Sequence, residues 1–301
     1  KEKKVTHLLN GMFKLAKVFY MIKGFLSMED NEAYAVYGAY TSLVYATPFI
    51  GGMVADKLLG ERKAVVLGGL LMAAGHLLMT IEQSTFFFLA LGLLIVGNGF
   101  FKPNISTIVG SLYPEGSTKR DGGFTLFYMG INLGAAMSPL LCGYVGETYG
   151  WHYGFGIATF GMLVGLAVFI APTKITQGLI LGGAILSAIG LVMLPKDPYL
   201  LAINAVVGFF LIVAGIASFI ALNRGGLPTD EGLPPNAAAL KEKSAIGIRK
   251  DWTVYIGALL AVPVLALLVS GNRSIRFIPK DTIEGLVTSL GPLGGLAGTF
   301  L

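Results

Sequence analysis

Lys102 stands at the end of a strongly apolar stretch that begins at Phe86. Residues 101–106 read Phe-Lys-Pro-Asn-Ile-Ser, so the cation is followed by a proline and by polar side chains. A lysine beside such a stretch is costly unless it faces water, a partner or a bound polar group. This segment therefore predicts a protein that binds or moves something polar inside a membrane. The alternative is that Lys102 only reaches toward the cytoplasmic interface.

The composition is typical of an integral membrane protein. Of the 301 residues, 54% are hydrophobic, 13% are charged and 42 are glycine, which departs from the usual make-up of a soluble domain. The formal net charge of +5 does not indicate nucleic-acid binding, because in a membrane chain the distribution of Lys and Arg is more informative than their sum. We therefore expect the chain to be surrounded by a lipid bilayer and to bind no nucleic acid.

Several apolar windows of about 20 residues are long enough to cross a hydrocarbon core of about 30 Å. Their apolar runs are continuous and do not alternate, which predicts helices and not barrel strands. The windows cover residues 33–54, 64–81, 86–112, 124–145, 154–171, 175–194, 199–222 and 254–269. Weaker candidates cover residues 8–26 and 283–301. The predicted fold class is an all-α integral membrane protein.

Positive residues mark alternate loops between these windows. They are Lys1, Lys3, Lys4, Lys57, Arg62, Lys63, Lys119, Arg120 and Lys174. The intervening loops at residues 29–32, 82–84 and 146–152 carry no Lys or Arg. Because cytoplasmic loops are enriched in these residues, the pattern predicts a multi-pass protein with a cytoplasmic N-terminus and six crossings by Ala171.

The chain divides into four parts on this pattern. Residues 1–172 form an N-terminal transmembrane bundle, and residues 173–224 form an inserted transmembrane hairpin that turns at residues 195–198. Residues 225–251 are rich in Gly, Pro and charge, which predicts a cytoplasmic linker. Residues 252–301 begin a further helical region.

Other kinds of chemistry find little support in the residues. Cys142 is the only cysteine and the three histidines are scattered, so we expect no internal disulfide and no metal site. The sequence contains no Walker A motif, and we expect no cofactor. No nucleophile, base and orienting group can be placed together, which argues against an enzyme.

A spaced pattern occupies residues 52–63, at the junction of two predicted spans. Its members are Gly52, Asp56, Gly60, Arg62 and Lys63. Gly52 lets a neighbouring helix approach, Asp56 can pair with a basic residue or a helix N-terminus, and Gly60 permits a tight turn. The pattern resembles the loop signature of the major facilitator superfamily, which implies a latch that holds two helix bundles together in one conformation. The alternative is a short polar loop that only satisfies the positive-inside pattern.

Two further segments narrow this resemblance. Residues 97–106 read Gly-Asn-Gly-Phe-Phe-Lys-Pro-Asn-Ile-Ser, and residues 120–134 contain Arg-Asp-Gly-Gly-Phe followed by Tyr-Met-Gly-Ile-Asn-Leu-Gly. Both are similar to motifs of the proton-coupled oligopeptide transporter family, and the similarity is continuous over about residues 33–171. The resemblance implies two bundles of six helices around a central cavity, with two extra helices between the bundles in bacterial members. The predicted hairpin at 173–224 lies where these extra helices would be.

The resemblance also implies roles for particular residues. Lys102 matches a lysine that is associated with the peptide carboxylate and with proton coupling, and Asn132 matches an asparagine that binds the peptide backbone. Tyr45 matches a tyrosine that lines the peptide cavity, and Tyr20 fits a tyrosine of the first span. Tyr128 lies one helical turn before Asn132, on the same face. A cation for a carboxylate, an amide that donates and accepts, and phenols with polar tips make a physically sensible peptide site.

These assignments have plainer alternatives. Asn132 could instead form a hydrogen bond between helices, beside Gly130 and Gly134. A tyrosine in a membrane span is often part of an interfacial belt or of ordinary packing.

The chain departs from the family pattern in two ways. In the first span the family carries Glu-x-x-Glu-Arg-Phe, which supplies two carboxylates and an arginine to the cavity. Residues 12–24 here read Met-Phe-Lys-Leu-Ala-Lys-Val-Phe-Tyr-Met-Ile-Lys-Gly, so Tyr20 and Lys23 fit but the glutamates and the arginine are missing. The sequence also ends at Leu301 although the family fold needs a second bundle. We therefore expect either a half-transporter or a part of a longer chain.

The function implied by the resemblance is uptake of di- and tripeptides across the bacterial inner membrane by alternating access, driven by a proton gradient. One alternative is another major facilitator carrier, for nitrate, a drug or an amino-acid conjugate. A second alternative is a truncated or degenerate membrane protein that binds without transporting. The sequence leaves the oligomeric state open.

Overall fold

The computed structural model describes residues 30–81, 83–114, 116–171, 173–193, 198–223, 231–244 and 247–270. These residues are predominantly helical, and the β-pairing among them is an isolated antiparallel bridge between Lys243 and Arg249. The helices are α1 (Asp30–Val54), α2 (Glu61–Leu78), α3 (Ser84–Ser111), α4 (Lys119–Ser138), α5 (Tyr144–Tyr149), α6 (Trp151–Ile170), α7 (Thr173–Met193), α8 (Pro198–Leu222), α9 (Ala237–Lys241) and α10 (Lys250–Ser270). Short π-helical segments, Ala55–Leu59 and Pro139–Gly143, follow α1 and α4.

Six stretches of the described helices are long and apolar enough to cross a membrane. They are Ser84–Ser111, Lys119–Tyr149, Trp151–Ile170, Lys174–Met193, Leu201–Ile220 and Lys250–Ser270. The helices α1 and α2 are not among them. In α2 the first three residues are Glu61, Arg62 and Lys63, and three charges in an 18-residue helix make it less apolar than its neighbours. The windows predicted at 8–26 and 283–301 lie outside the described residues.

The core of the described structure lies between α1, α2, α3 and α10. One apolar cluster contains Ala33, Val36, Met79, Phe87, Ala90, Leu91, Leu94, Ile95 and Val269. A second cluster contains Ala55, Leu59, Ala64, Leu71, Val96, Phe100, Leu240, Ala258 and Val262. Both clusters draw on α3, so α3 is the helix around which this part of the bundle is packed.

Glycines on α3 let three neighbouring helices approach its backbone. Gly92 faces the carbonyl group of Val262 on α10, and Gly97 faces Gly68 and Met72 on α2. Gly99 faces Thr47 on α1. Small residues at helix contacts in membranes allow this close packing, which does not depend on the hydrophobic effect. The sequence of α3 therefore fixes the positions of α1, α2 and α10 relative to one another.

The helices α7 and α8 form a hairpin that is attached to α6. Between the two helices, Gly208 packs against Ala188 and Gly215 against Ala184. The Thr176 hydroxyl donates hydrogen bonds at 3.1 Å and 3.0 Å to carbonyl oxygens at the end of α6 and just beyond it. The hairpin thus has its own small-residue contact and a polar attachment to the bundle.

Candidate functional site

Lys102 and Tyr45 come together on neighbouring helices. The ammonium nitrogen Nζ of Lys102, on α3, lies 4.7 Å from the centre of the Tyr45 ring, on α1. Both residues are exposed, and Tyr45 retains 63% of its accessible surface. A cation over an aromatic ring at an exposed site is stabilised by about 0.5–1 kcal/mol. The Lys102–Tyr45 pair can therefore present a positive charge and an aromatic surface to the same ligand.

Side-chain hydrogen bonds join the two helices that carry this pair. The Asn98 amide nitrogen Nδ2, on α3, donates to the carbonyl oxygen of Val44 on α1 at 2.9 Å. The Thr47 hydroxyl, on α1, donates to the carbonyl oxygen of Ile95 on α3 at 3.0 Å. We call this contact the α1–α3 seam, and its members are Val44, Thr47, Gly51, Ile95, Asn98 and Gly99.

The sequence analysis assigned the approach of a neighbouring helix to Gly52, and the tightest backbone contact of the seam lies next to it. At Gly51 an added methyl group would clash with the carbonyl group of Gly99. At Gly52 an added Cβ would lie 3.5 Å from the Cβ of Pro103, which is an ordinary van der Waals distance. The physical reason is helical rotation, since a step of about 100° per residue turns only one of two adjacent glycines directly toward α3.

Tyr128 and Asn132 form a separate pair on α4. The Asn132 amide donates to the Tyr128 carbonyl oxygen of the same helix at 2.9 Å. The Tyr128 residue is 57% exposed, and its ring contacts Phe124 and Phe127, which are also on α4. Among the described residues, neither side chain reaches Lys102 or the Tyr45 ring. The structure therefore brings the predicted site residues together as two pairs, and Tyr20 lies outside the described residues.

The turn between α1 and α2 contains the predicted latch. Gly60 has a φ of +74°, and its N–H donates to the Ala55 carbonyl oxygen at 2.9 Å. A residue with a Cβ is strained at this φ, so the glycine is required for the reversal of direction. Asp56 is exposed and precedes this turn. The turn directs the start of α2 toward a distant part of the chain.

That distant part is the linker segment, which we define as residues 231–244 and 247–251. The backbone N–H of Arg62 donates to the carbonyl oxygen of Gly232 at 2.9 Å, and an added Cβ at Gly60 would overlap the backbone of the segment at Leu233. Leu240 is 3% exposed and belongs to the second apolar cluster. The predicted linker is therefore packed against the end of the bundle where α1 turns into α2.

Asp251 adds a charged contact to the same region. The residue is 7% exposed, and its carboxylate accepts hydrogen bonds from Arg249 Nε at 3.1 Å and from the backbone N–H of Trp252 at 2.9 Å. The charge of Lys63 on α2 also acts on this carboxylate. The start of α2 is thus joined to the linker segment by the backbone of Arg62, and the charge of Lys63 acts on Asp251 in that segment.

Sequence reasoning missed Asn98, Thr47 and Asp251 as structural partners of the candidate site. Asn98 could have been found, because it lies four residues before Lys102 and hence on the same helical face. A polar side chain in an apolar span is itself a signal. The sequence contains no comparable signal for the contact of Arg62 with Gly232, which joins segments 170 residues apart.

Comparison with known proteins agrees with these features. The family model that matches the chain is described as the POT family and covers residues 62–195. The peptide transporter YePEPT of Yersinia enterocolitica subsp. palearctica is 42% identical over 161 residues, which are 52% of this chain and 31% of that protein. The di-/tripeptide transporter of Lactococcus lactis subsp. lactis is 41% identical over 145 residues, which are 48% of this chain and 29% of that protein. The matched region is thus about a third of the length of these relatives.

The fold is also similar to solved structures. The crystal structure of a mutant of a peptide transporter POT in complex with alafosfalin has a TM-score of 0.50 and 38% identity, over 69% of this chain and 44% of that chain. The helices of this chain are therefore those of a major facilitator superfamily bundle. The solved structure contains a longer chain, of which the match covers 44%. The resemblance to the proton-coupled oligopeptide transporter family is confirmed over residues 62–195, which match the POT family model within a fold similar to that of a solved peptide transporter.

Proposed function

We propose that the protein takes up di- and tripeptides across the bacterial inner membrane together with protons. The observation that carries this proposal is the Lys102–Tyr45 pair in a chain with a POT family domain. The name of the relative from Lactococcus lactis, a di-/tripeptide transporter, supports the size of the substrate. A multi-pass membrane protein of this family is not expected to be an enzyme.

In this proposal Lys102 binds the carboxylate end of the peptide. An ammonium group donates up to three hydrogen bonds, and the exposed position of Lys102 leaves these donors open to a ligand. The Tyr45 ring covers one side of the ammonium group and limits the directions from which a carboxylate can approach. We also propose that Lys102 takes part in proton coupling, because it is the basic residue that α1 and α3 contribute to this site.

The Tyr128–Asn132 pair on α4 and Tyr20 complete the proposed substrate site. An asparagine amide both donates and accepts, which suits the alternating N–H and C=O groups of a peptide backbone. The exposure of Tyr128 and Asn132 supports a role in contacting substrate. Binding of termini and backbone would leave the peptide side chains weakly specified.

The driving force in this proposal is the proton gradient with the membrane potential. Moving one positive charge inward is worth about 2.3 kcal/mol per 100 mV. Gly52, Asp56, Gly60, Arg62 and Lys63 would form the latch that stabilises one conformation. The loops rich in Lys and Arg support an orientation with the N-terminus in the cytoplasm.

Uptake in a reconstituted system tests the proposal. The protein is expressed from its native coding region, inserted into liposomes, and given labelled dialanine with an inward proton gradient and an internal negative potential. We expect accumulation that collapses with a proton ionophore and that excess unlabelled dialanine or trialanine inhibits. Free alanine serves as the control that lacks a peptide bond. Accumulation of nitrate in place of dialanine, or the absence of any proton-dependent flux, would contradict the proposal.

A further inference from the structure

Pro48 interrupts the backbone hydrogen bonds of α1 beside the candidate site. Proline has no N–H, so Pro48 cannot donate to the carbonyl group four residues earlier, which is that of Val44. The structure has a replacement donor at this carbonyl group. It is the Asn98 amide from α3, at 2.9 Å. Proline is tolerated in membrane helices where a neighbouring helix satisfies the freed carbonyl group, and Asn98 meets this requirement.

Pro103 likewise leaves a backbone carbonyl group of α3 without its helical donor. It cannot donate to the carbonyl group of Gly99, and this carbonyl group faces the Cα of Gly51 on α1. A glycine Cα–H is a weak donor to a carbonyl oxygen. Each of the two helices thus has a proline, and each freed carbonyl group is directed at the partner helix. Of the two contacts, only that of Asn98 depends on a side-chain donor.

This contact lies directly beside the Lys102–Tyr45 pair. Val44 is the residue before Tyr45, and Asn98 lies one helical turn before Lys102 on α3. The hydrogen bond therefore links the backbone that carries the Tyr45 ring to the helix that carries the ammonium group. Since Pro48 weakens α1 at this point, the direction of the Tyr45 ring depends on what replaces the missing bond.

We propose that Asn98 is a positioning residue of the substrate site, whose amide replaces the hydrogen bond removed by Pro48 and holds Tyr45 beside Lys102. This inference rests on the proposed function and extends it to a residue that does not itself contact the ligand. It implies that Asn98 is needed only because residue 48 is proline. A residue that merely fills space between helices would have no such dependence.

A double-mutant cycle between residues 48 and 98 tests the dependence. Asn98→Leu removes the donor at similar volume, and Pro48→Ala returns a backbone N–H to the Val44 carbonyl group. In proton-driven dialanine uptake, we expect Asn98→Leu to raise KM about 3- to 15-fold, because this is the factor that corresponds to the loss of one interhelical hydrogen bond in a membrane protein. We expect kcat to change less than about twofold. The double variant Pro48→Ala with Asn98→Leu is expected to return to within about twofold of the native KM.

Asn104 provides the matched control on the same helix. Its amide donates at 2.7 Å to the carbonyl oxygen of Phe100, within α3, so any effect of Asn104→Leu should be the same in the native background and in the Pro48→Ala background. An Asn98→Leu variant with native KM would overturn the proposal. So would a double variant that remains as impaired as Asn98→Leu alone.

Thermal unfolding separates this inference from the proposed function. The coupling between residues 48 and 98 should also appear as a partial recovery of the unfolding midpoint in the double variant, whatever substrate the protein carries. If Asn98→Leu does not fold, the double variant should regain a folded state, and its failure to do so would refute the role of Asn98. Absence of dialanine uptake by the native protein, with the coupling in stability retained, would refute the substrate alone.

Discussion

The α1–α3 seam and the helix α4 carry the two halves of the candidate site under different physical conditions. At the seam, two glycines place the backbones in contact, and hydrogen bonds from Thr47 and Asn98 cross between the helices. On α4 no residue is buried against the described part of the chain, and the Asn132 amide bonds to its own helix. The difference indicates that the helix backbones that carry Lys102 and Tyr45 are fixed to each other by packing, whereas in the described part of the chain Tyr128 and Asn132 are positioned only by the path of α4.

This difference between the α1–α3 seam and α4 suits the proposed peptide carrier. Two closely packed helices can fix one end of a small ligand, and a helix with few contacts can adjust to ligands of different length. The comparison also implies that the same kind of substitution has different effects on stability and on ligand binding at the α1–α3 seam and on α4.

Removal of the charge in the rigid half should have the largest effect on function. Lys102→Ala is expected to abolish gradient-driven dialanine accumulation, because it removes the proposed proton-coupling residue. It also removes a hydrogen bond to a charged group, worth about 1.5–3 kcal/mol, which weakens carboxylate binding about 10- to 150-fold. The measurement is uptake into proteoliposomes. Lys174→Ala is the control, since Lys174 is also an exposed lysine and lies on the hairpin. Unchanged accumulation by Lys102→Ala would remove Lys102 from the site.

Glycine substitutions compare the packing of the two regions directly. Gly51→Ala inserts a methyl group against the Gly99 carbonyl group and should lower the free energy of unfolding by about 2–3 kcal/mol, at the upper end of the cost of overpacking. Gly134→Ala on α4 meets open space, and the higher helix propensity of alanine should leave stability equal or slightly increased. Thermal unfolding in detergent measures both. Equal destabilisation by the two variants would contradict the description of α4 as loosely packed.

The contact of α2 with the linker segment can be compared in the same way. Asp251→Asn removes a buried carboxylate that accepts hydrogen bonds from Arg249 and from the Trp252 N–H, and we expect the free energy of unfolding to fall by about 1.5 kcal/mol. Glu242→Gln removes an exposed ion pair with Lys250, 2.9 Å long, and should cost less than about 1 kcal/mol. Both losses should be measured by thermal unfolding at low and high salt. If Asp251→Asn lowers the free energy of unfolding no more than Glu242→Gln does, and if high salt removes the loss, Asp251 does not stabilise the contact between α2 and the linker segment.

The smallest effect on stability is expected for Asn132→Ala. Its amide bonds within α4 and its side chain is exposed, so the unfolding midpoint should stay within the change of about 0.5 kcal/mol typical of surface substitutions. Dialanine affinity should nevertheless fall, because the backbone of the ligand loses a partner. A fall in stability without a fall in affinity would assign Asn132 to helix packing, the alternative that the sequence left open.

The apolar windows predicted most of the helices, because continuous apolar runs of about 20 residues report directly on membrane helices. The ends of α8 differ from its predicted window 199–222 by one residue at most. The prediction for α2 began at residue 64, whereas the helix begins at Glu61. Charged residues at the start of α2 concealed its first turn, although Gly60 before it marks a helix boundary.

Contacts between distant segments were less accessible to sequence reasoning. The prediction identified Lys102 and Tyr45 separately, but their pairing depends on the crossing of α1 and α3. The choice between Gly51 and Gly52 depended on helix rotation, which composition does not determine. The linker was predicted from its Gly, Pro and charged residues, and nothing in that composition indicates that Leu240 enters the core.

The attachment of the linker segment to α2 holds the first turn of α10 in place. The Gly232 carbonyl group, Leu240 and Asp251 all lie before or at the first turn of α10, and α10 has 21 residues, so it is about 31 Å long. A tilt of about 10° about its first turn would carry its last turn sideways by about 5 Å, given that length. A tilt that carries the last turn away from α3 would separate α10 from Gly92 and would withdraw Val269, which is 1% exposed, from the first apolar cluster.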